Sequence, residues 1–278
     1  MASMTGMIAA TSKHPGVWAA PGLAIWAGMQ ALLPATARAD TVTVAVAANF
    51  AAPLARIADA FAASNGHTLK ISAGATGKFY SQIIAGAPFQ VLIAADDETP
   101  KKLIAEGHAV AGSNFTYAIG QLVLWSAQPG LVDAQGAVLG SGKFSKLAIA
   151  NPKLAPYGKA AVEVIAAKGL TAAIAPRLVT AESIAQAYQF VATGNAELGF
   201  VALSQIIGAG LAPADSSAPP DKPVAGSYWR VPANLYSEIR QDAVLLKPGE
   251  KSAAAAALLA YLKSAPAKVM IQRFGYGL

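Results

Sequence analysis

Thr41-Val42-Thr43-Val44-Ala45-Val46 decides the fold. The stretch is short, β-branched and mostly apolar, as a strand covered on both faces should be. Directly after it, Leu54, Ile57, Ala58 and Phe61 recur at the spacing of one helix face, and Ser64-Asn65-Gly66 stops that helix. The alternation then repeats. Leu69 to Ser72 reads as a second strand. Phe79, Ile83 and Ile84 fall on a second helix, ended by Gly86 and Pro88, and Val91-Leu92-Ile93-Ala94 is a third strand. Thr99 is placed to cap the next helix, with Pro100 in its first turn. Such alternation predicts an α/β protein with mainly parallel sheet and helices on both faces.

The pattern continues outward. Leu122-Val123-Leu124-Trp125, Leu147-Ala148-Ile149-Ala150 and Leu198-Gly199-Phe200-Val201 read as strands. Helices are predicted from Gly158 to about Lys168, from about Ser183 to Thr193, and around Leu258, Leu259 and Leu262. Ala212 to Gly226, rich in Pro, Ala and Ser, is a loop.

Composition narrows the function. Of 278 residues, 54% are hydrophobic and 13% charged, which excludes disorder. The net charge of +6 is scattered, with no Lys/Arg run to track a phosphate backbone, so nucleic acid is not the expected partner. The absence of cysteine removes disulfides and thiolate metal sites. Residues 1–39 carry no acid and only Lys13 and Arg38 as bases. Their apolar stretch from Val17 to Leu33, followed by Ala37-Arg38-Ala39, has the layout of a signal peptide cleaved before Asp40. A retained membrane anchor is the alternative, and the Gly and Pro within that short stretch disfavour it.

Four strand-to-helix turns share a chemistry: Ala48-Asn49-Phe50, Gly74-Ala75-Thr76-Gly77, Ala155-Pro156-Tyr157-Gly158 and Ala181-Glu182-Ser183-Ile184. In a parallel α/β sheet such turns lie at the carboxyl ends of strands, where ligands bind. Helix N-termini there offer unpaired N–H groups and the positive end of the dipole, which suits an anion without any cation. A plainer reading stands beside this one. Asn49 and Thr76 could simply cap their helices, Tyr157 could be a half-buried packing residue, and Glu182 could point away or cap. Gly74-Ala75-Thr76-Gly77-Lys78 is not a nucleotide P-loop, because Ser72 stands at the first Gly position and Phe79 follows the lysine; Lys78 then reads as a solvated helix residue. His67 and His108 have no partners at ligand spacing. Asp96-Asp97-Glu98 reads as a strand end and helix start, and no acid/base pair or nucleophile elbow supports catalysis.

At these residues the sequence resembles the molybdate-binding proteins of bacterial ABC importers, the ModA family. Four stretches carry the resemblance, which covers essentially all of 40–278. They are Val44-Ala45-Val46-Ala47-Ala48-Asn49-Phe50; Ser81-Gln82-Ile83-Ile84-Ala85-Gly86-Ala87-Pro88 running on to Ala95-Asp96; Gly194-Asn195-Ala196-Glu197-Leu198-Gly199-Phe200-Val201; and Arg273-Phe274-Gly275-Tyr276-Gly277. The resemblance implies a two-lobed type II periplasmic binding protein. One lobe is 40–118 with 239–278, the other 119–238, and they close about a hinge of two crossing strands. It places the oxyanion ligands on Asn49 and Thr76 in the first lobe and on Tyr157 and Ile184 in the second, with Ala48 and Gly77 beside them as backbone N–H donors. It implies molybdate, with tungstate, as the ligand, no direct protein–metal bond, no cofactor, and a membrane permease as partner of a monomeric periplasmic protein. Well-known members carry Ser at the positions of Asn49 and Thr76, and some carry a Tyr where Ala202 stands. Tyr157 is placed to replace that missing hydroxyl. Three other readings compete: the same fold holding sulfate, phosphate or a small organic acid, a regulator's effector domain, and an enzyme.

Overall fold

The computed structural model describes residues 39–208 and 225–278, all within one compact unit, Ala37–Leu278. The signal-peptide reading and almost all of the Ala212–Gly226 loop lie outside the described residues. Ten strands are seen among the described residues: β1 Thr41–Ala47, β2 Thr68–Gly74, β3 Val91–Ile93, β4 Phe115–Gly120, β5 Leu122–Ser126, β6 Leu147–Ala150, β7 Leu178–Ala181, β8 Leu198–Ala202, β9 Ser227–Arg230 and β10 Ile239–Leu245. The helices are α1 Ala51–Asn65, α2 Thr76–Ile84, α3 Glu98–Ala105, α4 Val138–Ser141, α5 Pro156–Ala167, α6 Thr171–Ile174, α7 Ile184–Ala192, α8 Leu203–Gly208, α9 Ala253–Leu262 and α10 Ala265–Arg273.

Two five-stranded sheets result, in the orders β2-β1-β3-β10-β4 and β7-β6-β8-β5-β9. Each has a parallel core of three strands, β2-β1-β3 and β7-β6-β8, produced by helical crossovers. Each core is extended by two antiparallel strands, so the sheets are mixed. The chain leaves the first sheet along β4, begins the second at Leu122, and returns from β9 into β10. A strand arriving from the other sheet enters from the opposite end, which is why β10 runs against β3 and β4.

The first sheet buries Val42, Val44, Val46, Val91 and Ile93 against Phe50, Leu54, Ile57 and Phe61 of the first helical segment and against Leu258, Leu262 and Ile271. Each such side chain, fully buried, contributes about 1.5–3 kcal/mol of transfer free energy. Helix α5 starts at Pro156, ahead of the expected Gly158, because proline suits the first helical position. Thr99 is not a cap: α3 begins at Glu98, and the Asp96 carboxylate accepts the Thr99 N–H at 2.8 Å and its hydroxyl at 3.2 Å. Helix α10 escaped the periodicity reading, since it carries only two buried positions, Ala267 and Ile271.

The β4–β10 pair is irregular. Gln241 faces Ala118 while the next residue, Asp242, faces Thr116, so Tyr117 is an extra residue in β4. Such a bulge re-aims a side chain. Here it brings the Tyr117 hydroxyl to the Gln241 side chain, at 2.8 Å.

Candidate functional site

Each sheet sends the carboxyl ends of two parallel strands toward the other. Ala48 opens the single 3-10 turn Ala48–Phe50 after β1, and Thr76 is the first residue of α2, close after β2. Tyr157 is the second residue of α5, behind Pro156, and Ile184 is the first residue of α7. N–H groups in a first helical turn have no acceptor inside their own helix, and the helix dipole makes that end positive. Ala47, Ala75, Tyr157, Ala181 and Ile184 share one buried cluster, with Ala48 and Leu154 packed against it. The segments that follow the strands of the two sheets touch directly at this point. The Gly77 N–H donates to Leu154 O at 2.9 Å and the Ser204 hydroxyl donates to Asn49 O at 2.9 Å.

The capping alternative for Asn49 and Thr76 does not hold. The cap positions are Phe50 for α1 and Ala75 for α2, and neither helix has a side-chain cap bond. Asn49 lies inside the 3-10 turn, and its amide points inward. Its Nδ2 donates to Gln241 Oε1 at 2.9 Å and to the Tyr276 hydroxyl at 3.0 Å, which occupies both amide hydrogens. The Asn49 amide is therefore spent inside the protein, and the turn is left with backbone N–H as its donor chemistry. Thr76 differs. Its Oγ1 accepts the Ala95 N–H at 3.0 Å, which leaves the hydroxyl proton free to donate. Gly77, assigned by resemblance to the anion, here spends its N–H on Leu154 O and so works at the seam.

Behind the turns lies a buried polar layer that sequence reasoning missed. The Tyr117 hydroxyl reaches Gln241 Oε1 at 2.8 Å and Ala94 O at 2.9 Å. Gln241 Nε2 donates to the Tyr157 hydroxyl at 3.0 Å. The Tyr276 hydroxyl donates to Asn49 O at 2.8 Å and lies 3.0 Å from the Ser204 hydroxyl. No buried side-chain nitrogen or oxygen among the described residues lacks a partner. Of its members, Asn49 and Tyr157 stand out in the sequence as turn residues and Tyr276 only within the tail Arg273–Gly277 that carries the resemblance, while Tyr117, Ser204 and Gln241 carry no signal. Ala202, where some relatives carry a tyrosine, donates its N–H to Gln205 Oε1, and Gln205 Nε2 donates to Ile184 O at 3.1 Å. A glutamine thus supports the first turn of α7 beside the missing hydroxyl.

Burial raises the pKa values of Tyr117, Tyr157 and Tyr276 above the usual phenol value, so all three hydroxyls are neutral near pH 7. The residues at the meeting point are uncharged, and ion pairs sit at the rim. Lys78, which reads as a solvated residue in sequence, pairs with Glu182 across the seam, which also accounts for that glutamate. Lys159 and Glu98 approach to 4.0 Å, again between the sheets. Ser183, not Glu182, caps α7 by accepting the Gln186 N–H. A cavity of about 270 Å³ opens along the seam, lined by Asp96, Asp97, Glu98, Glu163 and Glu238 with Lys153, Lys159 and Arg240. Its carboxylates suit it poorly to an anion, and the turn residues other than Gly77 and Pro156 lie outside it.

The bacterial extracellular solute-binding protein family model matches residues 42–277. The molybdate-binding protein ModA of Azotobacter vinelandii is 57% identical over 247 residues, covering 89% of this chain and 94% of the relative. ModA of Rhodobacter capsulatus is 47% identical over 265 residues, covering 95% and 98%. Among solved structures, the Azotobacter vinelandii periplasmic molybdate-binding protein superposes with a TM-score of 0.79 at 43% identity, covering 85% of this chain and 99% of that one. The mixed-sheet pair and the facing helix N-termini are therefore those of a two-lobed type II binding protein, and the chain belongs to the ModA family of bacterial extracellular solute-binding proteins.

Proposed function

We propose that this protein captures molybdate, and tungstate with it, between its two lobes, and delivers the anion to the membrane permease of an ABC importer. The observation that carries this reading is the meeting of four helical first turns, two from each sheet, with no charged side chain among their ligand-facing residues. The ligand set is the Ala48 and Asn49 N–H groups, the Thr76 hydroxyl and N–H, and the Tyr157 and Ile184 N–H groups. A dianion meets such neutral donors through charge-assisted hydrogen bonds, roughly twice as strong as neutral ones. Donors divided between lobes bind the anion fully only when the lobes close, so closure follows from differential affinity. Molybdate and sulfate share charge and shape, and cavity size separates them; tungstate, of nearly molybdate size, enters as well. Residues 40–118 with 239–278 form one lobe and 119–238 the other.

The relatives that carry this name include one described as periplasmic, and the 1–39 segment has an export layout. These support export; in this reading the protein works as a monomeric carrier with no cofactor and no catalytic step. Calorimetric titration of the purified protein with molybdate, tungstate, sulfate and phosphate tests the reading. Tight binding of the first two and none of the last two is expected. Silence with molybdate, or preference for sulfate or phosphate, overturns the substrate.

A further inference from the structure

Gln241 lies on β10, the strand that returns the chain from the second sheet to the first, and its side chain is fully buried. One amide serves three elements. Its Oε1 accepts from Asn49 Nδ2 at 2.9 Å, in the first lobe's ligand turn, and from the Tyr117 hydroxyl at 2.8 Å, on the bulged strand β4. Its Nε2 donates to the Tyr157 hydroxyl at 3.0 Å, at the start of α5 in the second lobe. The amide therefore joins the ligand turns of both lobes through the strand pair that connects them.

The backbone beside it is shaped for this contact. A Cβ on Gly120, at the end of β4, would stand 2.3 Å from the Tyr157 hydroxyl and 2.5 Å from Gln241 Nε2. Gly120 is not in the left-handed backbone region, so turn geometry does not demand a glycine there. The empty space at position 120 is instead what lets Tyr157 reach over the crossing strand to the amide.

We propose that Gln241 is a positioning residue that couples lobe closure to the ligand turns, its amide holding Asn49 throughout and gaining its bond to Tyr157 only in the closed arrangement. This rests on the molybdate reading above. Separation of the lobes pulls Tyr157 away from Gln241 Nε2 while Asn49 and Tyr117 stay on the Oε1 side, so the amide favours the same state the anion favours. A buried polar group left without its partner is costly, and this bond draws the lobes together before any ligand contact is counted.

The test compares wild type, Gln241→Met, Gly120→Ala and a control, Val42→Ala, which sits at the far end of β1 from the ligand turn. Molybdate affinity is read by calorimetry, dissociation rate by stopped flow, and ligand-induced compaction by small-angle scattering. Wild-type binding establishes the molybdate reading independently. Gln241→Met and Gly120→Ala should each bind roughly tenfold more weakly, mostly through faster dissociation, and compact less on binding. Val42→Ala should lower the melting temperature and leave affinity and compaction alone. If wild type binds molybdate while Gln241→Met or Gly120→Ala, folded, keeps wild-type affinity and compaction, the coupling role is wrong and Gln241 is a packing residue. Gly120→Ala changes no polar group, so it carries the test should Gln241→Met fail to fold.

Discussion

Replacing Gly77 by alanine should move stability and affinity in opposite directions. Gly77 is the second residue of α2, and its φ is not in the left-handed region. Opening of the cleft would carry the new methyl away from Leu154 into solvent, where alanine is the better helix former by about 0.5–1 kcal/mol. In a first turn the lower figure applies, and for a chain of this size it corresponds to about 1–2 °C in melting temperature. With the cleft closed, the same methyl sits 3.1 Å from Leu154 Cα, 3.1 Å from Leu154 O and 3.4 Å from its Cδ2. Leu154 cannot swing aside, because its backbone is tied by the bond from its own N–H to Asn151 O at 3.0 Å and by helix α5 close behind. The seam must part by a few tenths of an ångström, which stretches the Gly77 N–H bond to Leu154 O. Overpacking of this kind costs about 1–3 kcal/mol, or roughly 5- to 150-fold in molybdate affinity. Thermal melts without ligand and calorimetry with it read both quantities on one preparation. An unchanged affinity would refute the claim that this seam closes on the ligand, and a lower melting temperature without ligand would refute the claim that the strain belongs to the closed form alone.

Other outcomes follow from the same geometry. Thr76→Val removes the hydroxyl that the proposed site gives to the anion and leaves Ala95 N–H without its acceptor, so molybdate affinity should fall roughly tenfold or more by titration, while Thr76→Ser should retain most of it. Asn49→Ala should cost stability as well as affinity, about 1–3 kcal/mol in urea unfolding, because Gln241 and Tyr276 lose a buried donor. Lys78→Ala should change affinity less than about threefold and reduce its salt dependence, since the Lys78–Glu182 pair is half exposed and worth little in water. Burial raises the pKa values of Tyr117, Tyr157 and Tyr276, so their stabilising effect is complete below the unfolded phenol value near 10 and is lost as pH rises beyond it. Molybdate affinity should therefore be flat from about pH 6.5 to 9, and thermal stability should drop above about pH 10.

The alternation of apolar strands and amphipathic helices was legible because it is local. Val44 and Val46 lie on β1, and Leu54, Ile57 and Phe61 on α1, and each was marked by its own neighbours. The four turns were legible for the same reason, since a helix start after a strand end announces an anion-receptive N–H cluster. The antiparallel half of each sheet was not, because Arg240-Gln241-Asp242 interrupts the apolar run of β10 and strand direction depends on distant partner strands. The polar layer behind the turns was beyond reach for a related reason. Asn49, Gln241 and Tyr276 are brought together by sequence separations of 192 and 227 residues, and nothing in the neighbourhood of Gln241 marks it as more than a strand residue. Asn49 stands out in the sequence as a turn residue, but the direction of its amide depends on those distant partners and is not written in the turn itself.

The inward direction of the Asn49 amide bears on how the site is built. If side-chain amides and hydroxyls met the anion directly, changes such as Ser to Asn or Thr would alter the ligand shell at each position. Here the Asn49 amide and the Tyr157 hydroxyl both turn into the buried layer, which in the proposed site leaves backbone N–H groups for the anion. Backbone N–H geometry is set by how the helix is seated, and the seating is the work of Gln241, Tyr276 and Ser204. A larger or smaller side chain at position 49 or 157 thus acts on the cavity by shifting a helix end, not by adding or removing a donor. On the proposed function, size selection between molybdate and sulfate would reside in the packing behind the turns. Mutations in that layer, which never touch the anion, should change the molybdate-to-sulfate ratio more than Lys78 or Glu182 at the rim. Measuring that ratio for Ser204→Ala against Lys78→Ala decides the point: an equal ratio in both would return selectivity to the residues at the surface of the cleft.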